Sequence, residues 1–300
     1  MRAHFVLADV FTAKPFGGNQ LAVFTDAEGL SDRAMQALAR EFNFPESTFV
    51  LPRRDFAHTH RVRIFTPRTE VPFAGHPTVG TAAVLVQRRL VGTHADRVQL
   101  VLEEGVGPVL VDVSTRGDTL TSRVTLDRAP EIPSVRPTPD AAAAVLSLPT
   151  CAVVEAWFAS VGLPFCFIHL DTPESVDRAT LNQSAWTTYF STAWSSNLFF
   201  FAQNGLDATK LYARMFAPAY GISEDPATGS ACAALAGALA AVSPQRAGNC
   251  TWHIEQGVTM GRPSYIEASA DKLDGQVMRV HIGGSTAIVG EGSVTIPDDF

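Results

Sequence analysis

Cysteine is scarce in this chain. The 300 residues hold four, Cys151, Cys166, Cys232 and Cys250, and no two are spaced as a metal-ligand or redox pair. A chain of this length needs no disulfide staples, so a reducing compartment, the cytoplasm, is the expectation. Basic charge is also low: 23 Lys and Arg stand against 30 Asp and Glu, a net charge of −7, with Arg53-Arg54 and Arg88-Arg89 as the longest basic runs. That balance argues against a nucleic-acid partner or an anionic membrane surface. No apolar run has the roughly 20 residues needed to cross a bilayer, and Met1 to Val10 has neither the apolar core nor the cleavage site of a signal peptide. No phosphate-loop lysine signature and no GxGxxG fingerprint occurs, so no nucleotide cofactor is expected. His58 and His60 lie two apart without a third ligand nearby; no metal is expected, and both read as solvated.

What is present is a globular composition, 46% hydrophobic and 18% charged, long enough for two domains. Residues 3–10 and 21–24 read as strands joined by a Gly17-Gly18-Asn19 turn. Ser31 opens a helix whose Met35, Leu38, Ala39 and Phe42 form one apolar stripe, as on a surface helix packed against a sheet. Strands follow at about 47–52 and 60–65, the second alternating Arg61 and Arg63 with Val62 and Ile64. Pro77 to Leu85 and Pro226 to Val242 differ: both are apolar on every face, so both should be enclosed helices, each inside a strand-rich shell. Between them, Ala129 to Asp140 carries four prolines and reads as a linker, followed by a short apolar helix over 141–148.

The two enclosed helices belong to a repeat. His76-Pro77-Thr78-Val79-Gly80-Thr81-Ala82-Ala83 aligns with Asp225-Pro226-Ala227-Thr228-Gly229-Ser230-Ala231-Cys232, each copy preceded by F-x-P at Phe65-Thr66-Pro67 and Phe216-Ala217-Pro218. Gly18 to Phe24 likewise aligns with Gly162 to Ile168. A duplicated unit would bring two helix amino termini to face each other across an interdomain cleft. Such ends bind anions, through unpaired N–H groups and the helix dipole, and a small substrate carboxylate is the simplest occupant. Gly75, Gly229 and Ser230 would allow close approach and add a hydroxyl; the plainer alternative is that they only cap and pack.

FTAKPFGGNQLAVF, NFPESTFVLP, RIFTPRTEVPFAGHPTVGTA, RMFAPAYGISEDPATGSACAAL and EQGVTMGRPSYI occur in the order found in PhzF-like proteins of phenazine biosynthesis, which the chain resembles over nearly its whole length. Gln20 departs from that pattern, where proline is more usual. The resemblance implies an α+β fold shared with diaminopimelate epimerase: two pseudo-symmetric domains, each a barrel-like sheet wrapped round a central apolar helix. With the proline-rich linker as the boundary, the expected domains are 1–128 and 129–285, and the resemblance implies that 286–300 returns to complete the first. It also implies a homodimer.

By the same resemblance Glu46 is the catalytic carboxylate, and His76, Asp225 and Ser230 line the substrate pocket. The expected site is Glu46, His76 and Asp225 in catalytic roles, with Asn19, Gly75, Gly229 and Ser230 holding substrate. Phe44, Pro45 and Phe49 around Glu46 would desolvate it and raise its pKa into a useful range, although a surface glutamate is the commoner fate. His76, before a proline, should have an extended backbone, and a helix dipole should keep it neutral; an N-cap is its other reading, as it is for Asp225. The related diaminopimelate epimerase and proline racemase use two thiols, which Ala74 and Pro226 replace here, and Cys232 reads as core. The repeat partner of Glu46 falls near Ser196. One unpaired carboxylate suggests a cofactor-independent isomerase that takes and returns the same proton on a small amino- or hydroxy-carboxylate, resembling the dihydro-hydroxyanthranilate of phenazine synthesis. An epimerase, racemase or dehydratase on the same scaffold, or a non-catalytic binder, are the other readings.

Overall fold

The computed structural model describes residues 1–92, 95–117 and 119–297. Contacts divide the chain into two compact units, Met1–Leu126 with Gly283–Phe300, and Asp127–Ile282. The first holds β1 (Arg2–Val10), β2 (Asn19–Phe24), α1 (Asp32–Phe42), β3 (Glu46–Leu51), β4 (His60–Phe65), β5 (Glu70–Val71), α2 (Gly75–Gln87), β6 (Arg97–Glu104), β7 (Gly107–Arg116) and β8 (Thr119–Leu126). The second holds α3 (Pro139–Val145), β9 (Val153–Ser160), β10 (Pro164–Leu170), α4 (Pro173–Arg178), α5 (Gln183–Tyr189), β11 (Leu198–Gln203), β12 (Lys210–Phe216), α6 (Gly229–Val242), β13 (Gly248–Gln256) and β14 (Ser264–Leu273). A long strand, β15 (Gln276–Thr295), begins in the second unit and ends in the first.

In the first unit the strand order is β1-β2-β3-β4-β6-β7-β8-β15, and β15 pairs back onto β1, which closes an eight-stranded barrel and leaves no edge. Strand alternation sorts side chains to its two faces. Phe24, Phe49 and Phe65 point outward and pack with Met35 and Leu38 of α1, Phe24 stacked on Phe49 at 4.7 Å. That is the apolar stripe of the sequence meeting a sheet; Ser31 caps α1 by accepting from the Ala34 amide. Inside the barrel runs α2, buried from Gly75 to Leu85.

The second unit repeats the plan. β9 and β10 are antiparallel, β10 and β11 parallel, β11 and β12 antiparallel, β12 and β13 parallel, and β13 and β14 antiparallel. The first unit runs through the same series from β1 to β7, with β5 off the path. Helix α6, nearly all buried, contacts β9 and β10 on one side and β13 and β14 on the other, so the sheet curls round it. Buried Lys272 closes its carboxyl end, donating to the carbonyls of Ala240 at 2.6 Å and Ser243 at 2.9 Å. The other face of β10 and β11 is covered by α3, α4 and α5 over Cys166, Ile168, Leu198 and Phe200.

Three sequence expectations need correction. The first enclosed helix starts at Gly75, so Pro77 is its third residue; a proline there forfeits nothing, because the first four helical amides have no intrahelical partner. The second starts at Gly229, leaving Pro226 outside in a turn. The helix expected over 141–148 occupies Pro139–Val145, with Thr138 as its cap and Pro139 its first residue.

Candidate active site

Two hydrogen-bond systems, one in each unit, hold the residues singled out by the sequence. In the first unit Thr48 of β3 bonds Thr81 of α2, hydroxyl to hydroxyl, at 2.8 Å in the buried interior. Two residues back along β3, on the same face, stands Glu46. The strand covers about 6.7 Å over that step and α2 about 7.5 Å from His76 to Thr81, so the two elements keep pace and Glu46 meets His76. The gap between Glu46 Oε2 and His76 Nε2 is 3.5 Å, with the side chains 19% and 6% exposed.

Burial drives the His76 pKa down to about 3, against the opposing effect of a hydrogen bond to the Gln20 backbone carbonyl. The ring is therefore neutral at ordinary pH. A carbonyl only accepts, so the proton sits on the nitrogen that faces Gln20; Nε2 has no hydrogen-bond partner among the described residues and presents a lone pair toward Glu46. Parallel pairing of Leu21 with Glu46 brings the Gln20 backbone beside this pair, and Asn19, fully buried, opens the same strand. Gly75 is the first residue of α2, and Ala74 before it supplies no side-chain cap. His76 is thus neither extended nor an N-cap: it lies within the helix, and burial keeps it neutral.

In the second unit the segment 224–228 is tied down at both ends. Arg214 of β12 grips Glu224 with Nε and Nη2, each 2.8 Å from a carboxylate oxygen, while its Nη1 donates to the carbonyls of Val176, Asp177 and Ala179. Gln256, fully buried at the end of β13, donates to the Asp225 carbonyl at 2.7 Å and accepts from the Thr228 amide at 3.1 Å. Gly257 follows at φ 76°, and a Cβ there would lie 2.6 Å from the Pro226 carbonyl oxygen, so only glycine fits. Inside this clamp Asp225 Oδ2 accepts from the Thr228 hydroxyl at 2.5 Å, and Thr228 precedes α6, whose first two residues are Gly229 and Ser230.

The sequence repeat and the helix starts therefore differ in register. His76 is the second residue of α2, whereas Asp225 comes four residues ahead of α6, whose N-cap position is Thr228; the counterpart of His76 by helix position is Ser230. Strand-for-strand equivalence likewise pairs Glu46, the first residue of β3, with Leu198, the first of β11, and neither Leu198 nor Ser196 is a carboxylate. His58 and His60 are not merely solvated: His58 Nδ1 lies 2.9 Å from Glu103 Oε1 and His60 Nε2 lies 3.0 Å from the Leu90 carbonyl. Among the described residues no group of three His, Cys, Asp or Glu is arranged to hold a metal. All four cysteines are free, and burial raises the Cys166 and Cys232 thiols. No helix is long and apolar enough to cross a membrane, among the described residues.

Gln256, Arg214 and Glu224 were not singled out in the sequence. Glutamine and arginine inside strands carry no signal of their own, although both fall in motifs shared with the resembled family.

Comparison with known proteins gives the class. Residues 8–292 match the phenazine biosynthesis-like protein family, PhzC-PhzF, and the chain belongs to that family. It is an enzyme of the isomerase type. An uncharacterized isomerase of Mesorhizobium japonicum is 37% identical, over 98% of this chain and 99% of the relative. The trans-2,3-dihydro-3-hydroxyanthranilate isomerase of Pseudomonas chlororaphis is 32% identical, over 98% and 99%. Among solved structures, a phenazine biosynthesis protein of the PhzF family from Bacillus anthracis superposes with a TM-score of 0.87, covering 99% of this chain and all of the other, at 23% identity.

Proposed function

We propose that this isomerase moves a proton, and with it a double bond, on a small amino- or hydroxy-carboxylate, with Glu46 as the general acid and base. The observation that carries the reading is the Glu46 carboxyl group held, largely out of water, 3.5 Å from a neutral imidazole. In the forward step the Glu46 carboxylate takes a proton from a carbon next to a double bond. The electron pair left behind forms a new double bond as the old one shifts, and the Glu46 acid returns the proton to the far carbon. Both transfers use one carboxyl on one side of the substrate, so no co-reactant is consumed.

His76 contributes an acceptor. Its Nε2 lone pair can receive a hydrogen from a substrate amine or hydroxyl, or from Glu46 while that group holds the proton, which fixes the carboxyl between its two duties. An imidazolium would instead pin Glu46 as an anion and oppose the return of the proton. Asp225 stays in the catalytic set with Glu46 and His76, and Gly229, Ser230, Asn19 and Gly75 are assigned to substrate holding, on the strength of the repeat and the motifs they share with the family. A dihydro-hydroxyanthranilate, the substrate named for the Pseudomonas relative, is the class proposed.

The test is turnover of trans-2,3-dihydro-3-hydroxyanthranilate in deuterated water by the wild type and by Glu46→Gln, which keeps the shape and removes the base. The wild type should shift the double bond, and the variant should lose about 10²- to 10⁴-fold in rate. Equal rates would sink the role of Glu46. Inversion of a stereocentre without double-bond migration would favour an epimerase.

A further inference from the structure

A second carboxyl group, unused in that mechanism, lies beneath the start of α2. Glu104 is the last residue of β6 and is buried, with Oε1 2.8 Å from the Thr78 hydroxyl. The same hydroxyl is 2.8 Å from the Ala74 carbonyl oxygen, the residue that precedes the helix. These three oxygens share two short contacts and one hydroxyl hydrogen. The Ala74 carbonyl can only accept, and it also takes the Thr78 amide at 3.3 Å; where Thr78 turns its one hydroxyl hydrogen to Ala74, the hydrogen between Thr78 and Glu104 comes from Glu104. An ionised Glu104 would leave two acceptors competing for that single hydrogen.

The surroundings agree. Glu104 Oε2 has no hydrogen-bond partner among the described residues. On β7 the residue opposite Glu104 is Gly107, on β4 Arg61 stands opposite Glu103, and on α2 the nearby titratable group is the neutral His76. Glu103 itself is engaged by the Arg54 and Asp55 amides and by His58. Burial raises the Glu104 pKa to about 8, even against the lowering effect of a hydrogen bond that Thr78 would donate to the ionised form, and no charge of either sign contributes. Next to it, a Cβ on Gly105 would lie 2.6 Å from the Pro72 Cα, and the Val106 amide donates to the Pro72 carbonyl at 3.2 Å. The turn after β6 is thus fastened to the segment that leads into α2.

We propose that Glu104 is a positioning residue that acts as a neutral acid: its O–H to Thr78, relayed to the Ala74 carbonyl, sets the first turn of α2 and so holds His76 against Glu46. Loss of that proton releases the turn and moves the imidazole. This rests on the reading that Glu46 and His76 are the working pair, but its test does not use turnover.

The test follows the His76 ring by NMR through a pH titration of the full-length protein, with the ring signals assigned by their disappearance in His76→Asn. In the wild type the signals should move with a midpoint near 8. Glu104→Gln carries an amide that still donates to Thr78 and cannot ionise; its His76 signals should match the wild type near neutral pH and stay put at alkaline pH. Glu104→Ala should show the displaced signals throughout. A purely structural Glu104 would not tie the His76 signals to its own ionisation. The proposal is overturned if Glu104→Gln keeps the alkaline transition, if it displaces the ring at neutral pH, or if carbon-13 labelling shows Glu104 titrating in the ordinary carboxylate range. Full activity of Glu46→Gln would remove the catalytic reading and leave these spectra unaffected, so the two failures are separable.

Discussion

Replacing Arg214 by methionine asks how firmly the segment before α6 is held. Arg214 is 9% exposed; its guanidinium spends two nitrogens on Glu224 and its third on three carbonyls around the end of α4, and sits 5.2 Å from the Phe216 ring and 5.6 Å from that of Phe200. Methionine retains the packing of the stem and nothing else. It strands the Glu224 carboxylate, 16% exposed, and takes a donor from the carbonyls of Val176, which keeps the Ala179 amide, and Ala179. Removing one member of a buried pair costs about 3–5 kcal/mol. The Thr259 hydroxyl, 3.0 Å from Glu224 Oε1, and the partial exposure of that carboxylate put the expected loss near the lower end, about 3 kcal/mol. Adding Glu224→Gln removes the stranded charge, so the double variant should be destabilised by about 1–3 kcal/mol less than the sum of the singles. Urea denaturation of the four proteins, with unchanged slopes, measures each value. A loss below about 1 kcal/mol for Arg214→Met, or strict additivity in the cycle, would refute the clamp.

Two other outcomes are expected. Lys272→Met keeps the aliphatic stem but takes the ammonium donor from the Ser243 carbonyl and from the Ala240 carbonyl, which retains the Ser243 amide, and should cost about 1–3 kcal/mol in the same denaturation assay. The depressed pKa of His76, about 3 against an ordinary value of 6.5, makes the unfolded chain the better proton binder between those limits. Its contribution to stability is complete above about pH 6.5 and is lost as the pH falls toward 3, by at most about 5 kcal/mol; His76→Asn should flatten that part of a stability-against-pH curve.

Much of the fold was legible because it is periodic. The alternation of Arg61-Val62-Arg63-Ile64 marked β4 to the residue, the stripe on 35–42 marked a helix lying on a sheet, and the all-round apolar character of 77–85 and 226–242 marked helices inside shells. The errors lie where distant parts of the chain decide local conformation. Asp225 to Thr228 would extend a helix by local preference, but Gln256, some 28 residues on, captures the Thr228 amide and the Asp225 carbonyl and holds the turn open. His76 reads as extended beside a proline, yet the barrel interior encloses it and the helix takes it in. A pre-proline preference is small against burial of a whole helical turn.

The site shows the same division. Glu46 and His76 could be picked out by motif, but their protonation logic could not, since it depends on which groups the barrel encloses with them. The neutral state of His76 follows from removing its ring from water, and the tautomer follows from the Gln20 carbonyl, a backbone group no side-chain motif records. Glu104 is the sharper case: in sequence it is one of two adjacent glutamates at the end of a strand. Strand alternation sends Glu103 to the amides of Arg54 and Asp55, where its pKa falls to about 2, and sends Glu104 to a buried hydroxyl, where its pKa rises to about 8. One residue of register separates an anion that staples a loop from an acid that supports the start of α2.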